Sequence, residues 1–80
     1  MRTLVSLVEL SPGQKAKVRR MSGGRGIRAR LSALGIRPGV FITKVSTGLM
    51  NGPVVIQMQG AQVAIGQGMA RRVIVEQVDA

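Results

Sequence analysis

The sequence predicts a mainly β fold: a small barrel of five or six short strands with one short helix, at about residues 26–34. Three observations predict it. Short runs rich in Val and Ile recur, with Gly, Pro or Asn turn signals at each join. Closing such strands into a barrel removes the edges that a flat sheet of this size would leave. Only one stretch has helical periodicity, with Ile27, Leu31 and Leu34 at i, i+4 and i+7.

Thr3 to Leu10 alternates poorly, because Leu4, Leu7 and Leu10 are three apart, and it reads as an initial strand running into a turn at Ser11-Pro12-Gly13. Gln14 to Met21 alternates better. Ala16 and Val18 share one face, and Lys15, Lys17 and Arg19 share the other. The pattern leaves open which of Arg20 and Met21 turns inward, and it admits a bulge. Gly35 then suits the C′ position of a Schellman-type helix stop, with Ile36 placed to touch Leu31 and Pro38 blocking any continuation. On that helix Arg28 and Ser32 face away from the apolar stripe, and Arg30 lies on its flank.

Val40 to Thr47 carries apolar residues on both faces, Val40 and Ile42 against Phe41 and Val45. That predicts a strand covered by the core on one side and partly by the helix on the other. Gly48 to Gly52 reads as a loop. Pro53 opens the next strand, in which Val54, Ile56 and Met58 face inward. Gln59-Gly60-Ala61-Gln62 makes a hairpin turn, and Val63 and Ile65 continue the inner face. Gly66-Gln67-Gly68 breaks the strand and Met69-Ala70 suits one helical turn. Arg71 to Gln77 forms the last strand, with Val73 and Val75 inward.

Eighty residues imply one domain, spanning 1–80. No apolar run approaches the ~20 residues of a transmembrane helix, and the N-terminal segment is too short and polar for a secretory signal, so a cytoplasmic location is expected. Cysteine and histidine are absent, which removes thiolate and imidazole metal sites together with the commonest nucleophile and general base. The carboxylates are Glu9, Glu76 and Asp79, too few and too scattered for acid–base work or a hard-cation site. Neither catalysis nor a cofactor is expected. Net charge is +9, which attracts nucleic acid, an anionic membrane face or an acidic protein surface.

Arg25, Arg28, Arg30 and Arg37 surround the helix, with Arg19 and Arg20 just before it. Two readings fit: a solvated helix face, or an electrostatic dock in which arginine makes bidentate contacts with carboxylate or phosphate. Gly23-Gly24-Arg25-Gly26 precedes the helix without the Lys-Ser or Lys-Thr of a phosphate loop, so it reads as a flexible turn. Leu49 and Met50 stand at an exposed loop tip, either folding back as a lid or offering an apolar contact to a partner. Arg25, Arg28, Arg30, Arg37, Leu49 and Met50 are therefore the candidate partner-binding residues.

Leu7, Leu10 and Pro12-Gly13 are followed by Arg30-Leu31, Leu34-Gly35-Ile36 and Pro38-Gly39, then Gly52-Pro53, a strand pair around Gly60, and Ala70 with Val73 and Val75. In this order and spacing the chain resembles the FeoA family of small ferrous-iron uptake accessory proteins. The resemblance implies an SH3-like barrel and a cytoplasmic role on the cytosolic part of the FeoB-type iron permease, with the membrane reached only through that partner. The residues that carry it are turn formers and core aliphatics, so it speaks for the fold more than for a contact surface. A small basic nucleic-acid-binding barrel is the alternative, weakened by the single aromatic residue. Unpaired strand edges would also permit a homo-oligomer.

Overall fold

The computed structural model describes residues 3–48 and 50–78. Its strands are β1 (Leu4–Ser6), β2 (Lys15–Met21), β3 (Phe41–Ser46), β4 (Val54–Met58), β5 (Ala61–Ile65) and β6 (Val73–Gln77). A 3₁₀-helix, Leu7–Glu9, follows β1; α1 (Arg25–Ala33) joins β2 to β3, and α2 (Gln67–Ala70) joins β5 to β6. The strands form one antiparallel sheet in the order β1-β6-β2-β3-β4-β5.

That order forces the sheet to curl. β5 and β6 are joined by residues 66–72 alone, four of which are helical. In a flat sheet their positions would lie about 19 Å apart, a poor span for so short a link. The curled sheet wraps its inner face around Leu7, Ala16, Val18, Ile42, Ile56, Ile65, Val73 and Val75, all buried. The result is the expected small barrel, but with a gap. Among the described residues β1 and β5 do not pair with each other, so both edges persist where full closure was expected.

The first strand is shorter than the expected Thr3 to Leu10 run. It stops at Ser6, whose side chain accepts from the Val8 N–H (3.4 Å) while the Ser6 N–H donates to Glu9 Oε1 (2.8 Å). This capping box starts the 3₁₀-helix. Residues three apart eclipse in such a turn, so the leucine spacing that spoiled a strand pattern places Leu7 and Leu10 in the core together. At the end of β2 a register shift falls between Val18 and Arg20. The bulge turns Arg20 out and packs Met21 against the core, which decides between the two.

The exit of α1 follows its sequence. The Ile36 N–H donates to Leu31 O and the Gly35 N–H to Ser32 O, both at 2.9 Å, with Gly35 at φ +94°. These are the two bonds of a Schellman motif, and Leu31 and Ile36 are both fully buried. Leu34 is not the third core residue of the stripe. As the C-cap it is 40% exposed, and Ile36 takes its place inside. The helix also leaves the outer face of β3 uncovered, so Phe41 and Val45 face solvent rather than α1. Beyond β3, Gly48 sits where an added Cβ would lie 2.4 Å from Pro53 O, so the two stems of the β3–β4 loop meet only through a glycine.

Gly35→Ala should destabilise the protein by about 1–2 kcal/mol, because alanine resists the left-handed conformation. The new Cβ would also press on Met58 Cε at 3.2 Å. The urea unfolding midpoint measures this, and an unchanged midpoint would remove the Schellman stop as a stabilising element.

Candidate interaction surfaces and a buried lysine

Arg25, Arg28 and Ser32 follow one another at i, i+3 and i+7 along the outer stripe of α1. Arg37, just past the helix stop, folds back onto this stripe: its Nε donates to Ser32 Oγ (3.3 Å) and its Nη2 to Ser32 O (3.4 Å). Arg25, Arg28 and Arg37 thus form one exposed guanidinium row, while Arg30 lies about half a turn round the helix. The N-terminal end of the row is poorly matched to the helix itself. Gly24 at the N-cap provides no side-chain cap, and no acidic residue occupies the first turn. Cations at the positive end of a helix are not there for its stability.

Met50 belongs to the β3–β4 loop and is 98% exposed, so it does not fold back as a lid. Leu49 lies outside the described residues, as does Asp79. Because α1 enters β3 at one end and the loop leaves at the other, Met50 and the helix stop are separated by the length of β3, about 17 Å. The candidate residues therefore form an arginine row and a distant apolar tip, not one patch.

A second surface emerges only from the register. Leu4 of β1 is opposite Glu76 of β6, Glu76 is opposite Lys17 of β2, and Lys17 is opposite Phe41 of β3. Directly opposed residues share a face, so these four form a row across the outside of the sheet. Lys15, two residues before Lys17, lies on the same face, and Arg19 pairs with Glu76. The Lys15 and Lys17 Nζ atoms lie over the Phe41 ring, 5.4 and 5.7 Å from its centroid, within cation–π range.

The inner face holds the least expected side chain. Lys44 follows Ile42 inward along β3 and is fully buried. Its ammonium donates to Leu7 O (3.2 Å), Val8 O (3.1 Å) and Leu10 O (2.9 Å), which satisfies all three of its N–H groups. These carbonyls end the 3₁₀-helix, where the backbone dipole favours a cation. The sequence signal was parity: a lysine at an inward position of an otherwise apolar strand face. Among the described residues no cluster of His, Cys, Asp or Glu suited to a metal ion occurs.

The FeoA domain family matches residues 5–77 of this chain. The chain belongs to the FeoA family. Over 67 residues it is 33% identical to a protein of Methanocaldococcus jannaschii provisionally named Fe(2+) transport protein A, covering 84% of this chain and 79% of that protein. The crystal structure of an iron uptake regulatory protein (FeoA) superposes with a TM-score of 0.88 at 37% identity, covering 95% of this chain and all of that one. A manganese-dependent transcriptional repressor reaches the same TM-score at 16% identity, with 98% of this chain covering 44% of the repressor. At that identity the repressor shares the fold alone. The six-stranded SH3-like fold is thus that of FeoA, and the turn glycines and core aliphatics of the sequence pattern stand where this fold requires them.

In this FeoA-family chain Lys44→Met should cost about 2–4 kcal/mol in urea unfolding, because it strands carbonyls that the ammonium satisfies. A loss under 0.5 kcal/mol, roughly what an ordinary surface change produces, would deny Lys44 that role. Burial also pushes the Lys44 ammonium below its ordinary value of 10.5. Between the lowered folded value and 10.5 the unfolded chain binds the proton more tightly, so folding gains stability from this group as pH rises through that window. The gap between wild type and Lys44→Met should therefore widen from neutral pH towards 10.5. Unfolding at a series of pH values tests the sign, and a narrowing gap would contradict it.

Proposed function

We propose that this chain is a non-enzymatic accessory protein of ferrous iron uptake, acting in the cytoplasm by docking on the cytosolic part of an FeoB-type permease. Membership of the FeoA family supports the iron-uptake role, and the names of its relatives point the same way. The observation that carries the docking reading is the Arg25–Arg28–Arg37 row, exposed, with Arg37 held by its bonds to Ser32 and Arg25 placed at the helix N-terminus against the dipole. Guanidinium groups in a row suit the carboxylates of an acidic protein surface, giving fast, salt-sensitive association. Iron passes through the partner in this reading. The chain has no cysteine or histidine to hold Fe²⁺, and its net charge of +9 repels a cation. No helix among the described residues is long and apolar enough to cross a membrane.

Capture by the permease's cytosolic domain at physiological salt, with heparin as competitor, tests the reading. The wild type should be retained, and Arg28→Glu/Arg37→Glu should weaken capture on the order of tenfold while flattening its salt dependence. Retention unaffected by that double substitution would remove the helix from the interface. Loss of all wild-type binding to heparin would leave the family's partner unsupported for this chain and favour nucleic acid.

A further inference from the structure

We propose that the outer face of β2 and β3 rests on an anionic lipid surface, with the Phe41 ring entering the headgroup layer beside the Lys15 and Lys17 ammonium groups. The face carries two properties together. Its cations are Lys15, Lys17 and Arg20, and the adjoining acid, Glu76 of β6, is engaged by Arg19. Its apolar residues are Phe41 and Val45, which are 48% and 37% exposed. The Leu4–Glu76–Lys17–Phe41 row follows about 14 Å of the curled sheet, and its Lys17–Phe41 end, with Lys15 on the same strand as Lys17, gathers cations and ring on two adjacent strands that can meet one surface together.

The chemistry selects the occupant. A phosphodiester headgroup accepts from an ammonium group, while the interface just beneath takes up an aromatic ring and aliphatic side chains. A single-stranded nucleic acid would need the ring face for stacking, and there the two ammonium groups lie over it. A soluble acidic segment would pair with the lysines and leave Phe41 and Val45 in water. The face shares no residue with the arginine row of α1, so lipid contact and permease docking stand or fall separately.

The test is co-sedimentation of the full chain with vesicles of phosphatidylcholine alone or mixed with phosphatidylglycerol. The wild type should sediment with the anionic vesicles and not with the neutral ones; failure to bind the anionic vesicles overturns the proposal. Lys15→Glu/Lys17→Glu should lower binding by more than about tenfold. Arg28→Glu/Arg37→Glu makes the same change in net charge and should lower it only about twofold. Equal losses from the two pairs would mean undirected attraction to net charge and overturn the assignment of the face. Because the sequence has no tryptophan, Phe41→Trp supplies a unique reporter of similar bulk. Its emission should shift to the blue on anionic vesicles, and unshifted emission from sedimented protein counts against the proposal. Tighter binding to a single-stranded oligonucleotide than to anionic vesicles, lost with the same lysine pair, would assign the face to nucleic acid instead.

Discussion

Lys44 holds the first quarter of the chain to the sheet. Its ammonium ties down the carbonyls of Leu7, Val8 and Leu10, its own N–H donates to Gln14 O (3.0 Å), and its carbonyl accepts from the Gly13 N–H (2.7 Å). One residue thus fixes 7–14, the segment that turns from β1 into β2. An apolar side chain could fill the same space but would leave the end of a buried 3₁₀-helix facing carbon, and an unsatisfied backbone carbonyl costs more than a hydrogen bond returns. A carboxylate partner is unnecessary, because three carbonyls at a helix C-terminus supply the negative potential. The four-carbon stem meanwhile packs alongside Ile42 and Ile56 as another core aliphatic would.

What the sequence revealed divides along the range of the interactions involved. The Schellman stop was legible because its parts, Leu31, Gly35, Ile36 and Pro38, lie within eight residues and act through the local backbone. The hairpin between β4 and β5 was legible for the same reason: Gln59 and Gly60, both at positive φ, make a two-residue turn. The capping box Ser6-x-x-Glu9 is equally local, but the Val and Leu around it mask it by matching a strand. Lys44 was hidden by distance. Its acceptors lie 34 to 37 residues earlier, and nothing near it announces a carbonyl cluster.

The surfaces follow the same division. The arginine row could be read from helical spacing alone, apart from the fold-back of Arg37. The Leu4–Glu76–Lys17–Phe41 row could not, since it depends on three strand pairings between segments far apart in the chain. Shifting β2 by one residue against β6 would bury the lysines and expose Ala16 and Val18. The bulge lets one strand carry Ala16, Val18 and Met21 inward while Arg19 and Arg20 stay in water.

The two basic surfaces differ in kind as well as place. On α1 the groups are guanidinium, planar and forked, aligned along a rigid helix; such a row suits carboxylates held in fixed geometry. On the sheet Lys15 and Lys17 are point charges on flexible stems, set around a ring and flanked by aliphatic side chains. They match a fluid array of phosphates that offers no fixed geometry. A chain with net charge +9 that needed only solubility would gain nothing from sorting its cations in this way. If the helix engages a membrane-bound partner, the sheet face can engage the bilayer around it, and two weak contacts on one rigid body then bind as one stronger contact.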